Sequence, residues 1–304
     1  MQFSPLRARI SSGYQAVLGA IAGDICGSPW EGGQCADGEF QLFAHGASIT
    51  DDSVCTVAVA EVLLAGGGSG AVARALRAWC KRYPGLGYGS AFNHWVYSQK
   101  GPYNSYGNGG AMRVSAGGWL ADSLESAESF ADMTAGVTHN HPEGLRGARA
   151  IAGAIWWARQ GLSGDELRAR LAARYGYPLN RALAELREEA LYSTEACDTV
   201  PVALMCATHA RTWEEAIRFA ATIGGDTDTI AAMAGAIAEA RFGLPEQVVN
   251  TSLTYLTDDM REVVRSFYDR VGGIRIEKLG SPYTPEAKRS LLKRIWQTLK
   301  TFPK

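Results

Sequence analysis

An all-α fold is the class that this sequence predicts, and three observations predict it. Apolar residues recur at helical spacing from residue 12 to about residue 272. Many of these segments have interiors rich in alanine, the strongest helix former. Period-2 runs of β-branched residues, the mark of strands, are nearly absent, which argues against an α/β sheet. No repeat of fixed period emerges, so a solenoid is not expected either.

In chain order, Ser11 and Ser12 can cap a first helix in which Val17, Leu18, Ile21 and Ile25 form one apolar stripe. Gly19, Ala20, Ala22 and Gly23 keep that helix slim enough for close neighbours. Helical patterns follow at about 52–65, 69–82, 109–121, 125–137, 143–160 and 164–174. Further ones fall at about 180–191, 197–210, 212–222, 227–242 and 257–271. The stretch from Gly272 to Pro285 reads as a linker, after which Thr284 caps and Pro285 opens a last helix. Leu291, Ile295 and Trp296 line one side of it and Lys288, Arg289, Lys293 and Arg294 the other. Such a helix can dock on its own domain, the simpler reading, or touch acidic lipid or a partner. The expected division is a helical domain over 1–275 and a basic amphipathic extension over 276–304.

The formal charge of −1 argues against a broad nucleic-acid surface. Six cysteines form no CxxC pair and sit mostly among apolar or small residues, as reduced core thiols do. No secretory signal opens the chain, and no apolar stretch reaches the roughly 20 residues needed to span a membrane. A soluble, cytoplasmic protein is expected.

Two acidic clusters carry the chemistry: Thr50-Asp51-Asp52 and Asp226-Thr227-Asp228-Thr229, about 175 residues apart. Adjacent carboxylates repel one another and resist burial unless something compensates them. A hard divalent cation is the usual compensation, and Mg²⁺ prefers such oxygen donors. Either cluster alone could be a helix cap. Together they offer four carboxylates, more charge than one Mg²⁺ needs, which points to a two-metal site. Glu31, on a glycine-flanked loop, is a carboxylate that could swing between metal and substrate. Asp24, near the end of an apolar helix, is expected to support the ligands from behind.

Ser105-Tyr106-Gly107-Asn108-Gly109-Gly110-Ala111-Met112-Arg113 is the expected phosphate loop, with backbone N–H groups free to face an anion. It has neither the lysine of a P-loop nor GxGxxG spacing. His139, in the turn Thr138-His139-Asn140-His141-Pro142, is expected to contact substrate. The Asp-x-Asp-Thr string follows a helix late in the chain, which speaks against a haloacid-dehalogenase phosphatase. No G-x-S-x-G elbow is present.

Taken together, these motifs resemble the ADP-ribosylglycohydrolase family, which includes dinitrogenase-reductase-activating glycohydrolase and the ADP-ribosylhydrolase-3-like enzymes. The match runs from Gly19-Ala20-Ile21-Ala22-Gly23-Asp24 through Thr50-Asp51-Asp52-Ser53, Gly107–Arg113 and Thr138-His139 to Gly224–Thr229. Ser105-Tyr106 with the glycine loop looks closer to the ADP-ribosylhydrolase-3 branch. The resemblance implies a compact, monomeric, all-α domain: a multi-helix orthogonal bundle with a central metal-binding cleft. It implies two Mg²⁺ ions, with Mn²⁺ as a substitute, held by Glu31, Thr50, Asp51, Asp52, Asp226, Asp228 and Thr229.

The expected activity is hydrolysis at the anomeric carbon of ADP-ribose, through an oxocarbenium-like transition state. Glu31, Asp51 and Asp52 are the expected catalytic residues. Ser105, Tyr106, Gly107, Asn108, Gly109, Met112 and His139 are the expected substrate contacts. The substrate would be an ADP-ribosylated protein or small ester, with ADP-ribose as product and no membrane partner. Motifs leave arginine, serine, O-acetyl-ADP-ribose and a nucleic-acid base open as acceptor. The alternatives are a non-catalytic ADP-ribose-binding or structural relative and a hydrolase of another ribosyl nucleotide.

Overall fold

Helix α1 (Leu18–Gly27) is buried along its whole length, which suits a sequence of small and apolar residues without a polar face. The computed structural model describes residues 16–33, 36, 40–188 and 192–271. A single 3₁₀ turn, Ser28–Trp30, follows α1, and then come α2 (Asp51–Leu64), α3 (Ser69–Arg82), α4 (Ser90–Val96), α5 (Gly109–Met112) and α6 (Ser115–Leu120). Next are α7 (Leu124–Ala135), α8 (Pro142–Arg159), α9 (Gly164–Tyr175), α10 (Leu183–Glu188) and α11 (Ala196–His209). The order ends with α12 (Trp213–Ile223), α13 (Thr227–Phe242), α14 (Glu246–Tyr255) and α15 (Asp258–Val271). Among the described residues there is no strand, only one isolated antiparallel bridge from Gly107 to Glu195. The all-α expectation holds.

Glycines on α1 set the packing of the centre. A Cβ at Gly23 would stand 2.1 Å from the carbonyl oxygen of Ala231, and one at Gly27 2.4 Å from that of Thr227. Gly235 answers from α13, where a Cβ would lie 2.3 Å from the carbonyl oxygen of Gly19. Backbone therefore meets backbone along the α1–α13 crossing, and any side chain at these positions would force the helices apart. Glu239 fixes the far end of the pair. Its carboxylate accepts from the N–H groups of Ala16 and Gly19, both at 2.8 Å, and from the Tyr268 hydroxyl at 3.0 Å. Burial pushes its carboxyl up to about 8. With the far end pinned, the close crossing carries the start of α13 down beside Asp24.

Around this pair, α12 and α11 pack on α13, while α8 receives α5, α6, α7 and α11. The start of α2 is held by the Asp51 N–H, which donates to the Leu86 carbonyl at 2.8 Å.

Four segments differ from the periodicity. The single helix expected over 109–121 is broken at Arg113 and Val114 into α5 and α6. There the buried Arg113 guanidinium turns back to the Gly109 carbonyl and across to α7. The segment expected over 180–191 is helical only from Leu183 to Glu188, and residues 189–191 lie outside the described part. Helices α4 and α14 are not predicted at all. The first is seven residues long among glycines, and the second is ten residues long and follows Pro245; both are too short for a clear period. Cys26, Cys55, Cys80 and Cys206 are buried free thiols, and Cys197 is a half-buried one. The Ser11–Ser12 cap, Cys35, the linker after residue 271 and the basic helix from Pro285 lie outside the described residues. No described helix is long and apolar enough to cross a membrane.

Candidate functional site

Local sequence explains how each acidic cluster is presented. Thr50 is the N-cap of α2: its Oγ1 accepts from the Asp52 N–H, and Asp51 and Asp52 fill the first turn. At the other cluster, Gly224 and Gly225 have φ of +91° and +86°, a left-handed pair that ends α12 and reverses the chain. Asp226 then stands at the N-cap position of α13 without a side-chain capping bond, with Asp228 and Thr229 in the first turn. The Thr227 hydroxyl donates to the Gly27 carbonyl at 3.0 Å, tying that turn to the end of α1.

The two clusters meet. Thr229 Oγ1 donates to Asp52 Oδ2 at 3.0 Å. Carboxylate oxygens of Asp24, Asp52 and Asp228 lie within 4.8 Å of one another, and so do those of Glu31, Asp226 and Asp228. Asp228 belongs to both groups. Glu31 reaches the second group because the Gly32 N–H donates to the Gly225 carbonyl at 3.2 Å. Its carboxylate is exposed and accepts from the Tyr192 hydroxyl at 3.1 Å.

Asp24 is the hub beneath the floor. Its Oδ1 accepts from the Thr50 hydroxyl at 2.7 Å, and its Oδ2 from the Thr50 and Ser53 N–H groups and from the Ser53 hydroxyl. Burial raises its carboxyl to about 6, against the lowering effect of those donors. Asp51, outside both groups of three, lines the cleft and is raised to about 8 by burial and then by Asp24, Asp226 and Glu31. Asp52 is pushed well up by burial first and Asp228 second, and Asp228 by burial first and Asp226 second. Burial also raises Asp226, although Asn108 Nδ2 donates to it at 2.6 Å.

This donor set fits a hard divalent cation. All the donors are oxygens, and Asp52 Oδ1 is buried without a hydrogen-bond partner among its anionic neighbours. Cation charge would compensate the repulsion that raises these carboxyls.

Above the carboxylates lies a cleft of about 320 Å³, large enough for part of a nucleotide. Glu31, Asp51, Asp226, Asp228 and Thr229 line its acidic side, whereas Asp24, Thr50 and Asp52 lie below it. Ser105, Gly107, Asn108, Gly109, Met112 and His139 line it as well. Tyr106 does not line the cleft: it is exposed, with its ring edge-on to His141 at 5.6 Å. The glycine loop keeps fewer free donors than expected. The Gly107 N–H donates to Ser105 Oγ and the Asn108 N–H to the Thr194 carbonyl, which leaves the Gly109 N–H without a backbone acceptor. Tyr103 also lines the cleft, as do Phe92, Arg113, Tyr192 and Thr194, which were not assigned from sequence. Arg113 lies within the glycine motif and could have been marked there. Tyr192 is 161 residues from Glu31 and carries no local signal.

Comparisons with known proteins agree with this architecture. A family model described as ADP-ribosylglycohydrolase matches residues 6–275. ADP-ribosylhydrolase ARH3 of Mus musculus is 31% identical over 189 residues, 47% of this chain and 51% of the relative. The Homo sapiens ARH3 is 29% identical over 187 residues, 47% and 52% respectively. The chain thus spans about half the length of the curated relatives it matches. A solved structure described as an ADP-ribosylglycohydrolase-related protein complex superposes with a TM-score of 0.63 at 25% identity, covering 84% of this chain and 96% of that one.

Proposed function

The chain belongs to the ADP-ribosylglycohydrolase family, and we propose that it hydrolyses the glycosidic bond at the anomeric carbon of ADP-ribose, releasing ADP-ribose from a modified acceptor. The observation that carries this reading is the pair of carboxylate groups sharing Asp228 at the floor of a cleft that can take part of a nucleotide. Every acidic position implied by the family motif is filled by an oxygen side chain, which speaks against a non-catalytic relative.

Glu31, Asp52, Asp226 and Asp228 would hold two divalent ions, Mg²⁺ by preference, with Thr50, Asp51 and Thr229 as further oxygen donors. When bound, such ions supply Lewis acidity to a ribose oxygen and make water a better nucleophile at neutral pH. Asp24 spends its oxygens on Thr50 and Ser53, so it orients the start of α2 rather than meeting substrate. Glu31, exposed at the cleft mouth with Tyr192 on its Oε1, is the group suited to take a proton from the attacking water. Ser105 to Gly109 would bind the diphosphate, and His139 a ribose or phosphate oxygen. Asn108 serves the site mainly by holding Asp226.

A release assay tests the reading. ADP-ribosyl-arginine, ADP-ribosyl-serine peptide, O-acetyl-ADP-ribose and an ADP-ribosylated oligonucleotide are each incubated with the chain, with Mg²⁺ and with chelator. Release of free ADP-ribose from at least one linkage, abolished by chelator, is the expected result. Tight binding of ADP-ribose with no release from any linkage would instead make this a binding protein.

A further inference from the structure

The carboxylates are not the only charges held out of water. Arg113 has no exposed surface, yet no carboxylate is among its hydrogen-bond partners. Neutral oxygens take the protons of its two Nη atoms instead, while Nε is buried without a partner among the described residues. Nη1 donates to the Gly109 carbonyl at 2.9 Å, and Nη2 to the carbonyls of Thr134 and Ala135 at 3.2 and 3.3 Å. The shortest of these bonds, 2.7 Å, runs from Nη2 to Thr138 Oγ1. A buried cation is costly, and an apolar residue would fill the space with less penalty.

Proton counting shows what the arginine does. A guanidinium has donors only, so Thr138 Oγ1 accepts from Arg113. The hydroxyl proton of Thr138 has no acceptor among the described residues other than His139 Nδ1, at 2.7 Å. Nδ1 is then the acceptor nitrogen, and a neutral imidazole in that state carries its proton on Nε2. Burial, and after it the Arg113 charge, hold the ring well below the usual histidine range, so it is neutral. Nε2 faces the glycine loop: a Cβ at Gly109 would stand 3.1 Å from it, and one at Gly107 3.6 Å. It has no hydrogen-bond partner among the described residues, and His139 lines the cleft.

We infer that Arg113 and Thr138 are positioning residues that lock His139 as the Nε2–H tautomer, so that a neutral ring offers one directed proton to an acceptor oxygen of the bound ligand. The inference rests on the reading that an ADP-ribosyl compound occupies the cleft, since its phosphate and ribose oxygens can all accept. Arg113 was read only as the end of the glycine loop and Thr138 only as part of a turn, and neither needs to touch the ligand.

Nitrogen NMR of protein labelled at histidine tests the relay without activity. His139→Gln identifies the His139 signals among the five histidines. The wild-type spectrum should show a protonated Nε2 and a bare Nδ1, with cross-peaks assigned to those atoms. Thr138→Val should lose the single tautomer and weaken ADP-ribose binding by about tenfold, the worth of one hydrogen bond. Thr138→Ser should restore both. Turnover at saturating substrate should change little in either variant. A wild-type ring protonated at Nδ1 would overturn the inference, and so would a Thr138→Val spectrum that keeps the wild-type pattern. If Thr138→Val does not fold, the wild-type spectrum and Thr138→Ser still decide. Should ADP-ribose leave the His139 signals unmoved while the Nε2–H tautomer is seen, the relay is supported and the substrate reading fails.

Discussion

Thr229 Oγ1 donates to Asp52 Oδ2 across 3.0 Å, a bond between residues 177 apart in sequence. It depends on α1, whose Asp24 bonds to Thr50 and Ser53 rather than to either group of that pair. Because Gly23 and Gly27 let α1 lie against the first turns of α13, Asp24 and Asp228 share a floor, and α2 is drawn to Asp24 through Thr50 and Ser53.

Gly23→Val should therefore damage fold and site together. Its Cβ would meet the Ala231 carbonyl oxygen at 2.1 Å, and that oxygen belongs to a helix backbone that cannot swing away. Overpacking of this kind costs about 1–3 kcal/mol, or more where backbone must move. Thermal melting and metal titration should both show the loss. A variant that melts and binds like wild type would mean that the crossing does not set the site.

Asp228 is common to both carboxylate groups, whereas Asp226 belongs to one. Asp228→Asn should lower turnover about a thousandfold or more, since several kcal/mol of Lewis-acid stabilisation would be lost. Its Mg²⁺ affinity should fall further than that of Asp226→Asn. Calorimetric titration of both variants makes the comparison, and equal losses would remove the special place given to Asp228.

Glu239 predicts a pH effect remote from the cleft. Its folded carboxyl is raised to about 8 by burial, above its value of 4.5 when exposed. The folded chain thus binds this proton more tightly than the unfolded chain. The contribution to stability is full below pH 4.5 and is lost as pH rises toward 8, by on the order of a few kcal/mol. Glu239→Gln, which cannot ionise, should flatten that part of the stability–pH curve. It should also cost about 1–3 kcal/mol at low pH, because one of the Ala16 and Gly19 N–H groups loses its acceptor. Denaturant midpoints between pH 5 and 8 would show it; parallel curves for the two proteins would contradict it.

Mg²⁺ should raise the melting temperature, because folding assembles the carboxylates and the unfolded chain does not hold them together. At a hundred times the dissociation constant the gain is about 2.7 kcal/mol. It should shrink in acid, where protons compete for the raised carboxyls of Asp52 and Asp228. Differential scanning fluorimetry at pH 5 and pH 8 reads both effects, and an equal shift at both pH values would argue against carboxylate ligation.

Much of the centre was legible in the sequence because its signals are local. Asp51-Asp52 and Asp226-Thr227-Asp228 each crowd carboxylates into one helical turn, and Gly19 and Gly23 mark a slim helix before any partner is known. What a local pattern cannot carry is how spent each donor is. The N–H groups of Gly107 and Asn108 looked free, yet Ser105 and Thr194 take them. Asn108 lines the cleft, but that its amide also holds Asp226 could not be read from its motif. Tyr106 falls outside the cleft lining because the chain turns its ring toward His141, a side chain 35 residues on. The break of α5 from α6 was likewise hidden: glycine and alanine on both sides keep helical spacing, while the cause is a buried arginine seeking carbonyls.

Paramagnetic resonance during a Mn²⁺ titration of the wild-type chain counts the ions that the carboxylates hold. Two bound ions per chain with an exchange-coupled signal, collapsing in Asp228→Asn, is the predicted result. A single uncoupled ion, or none, would contradict it.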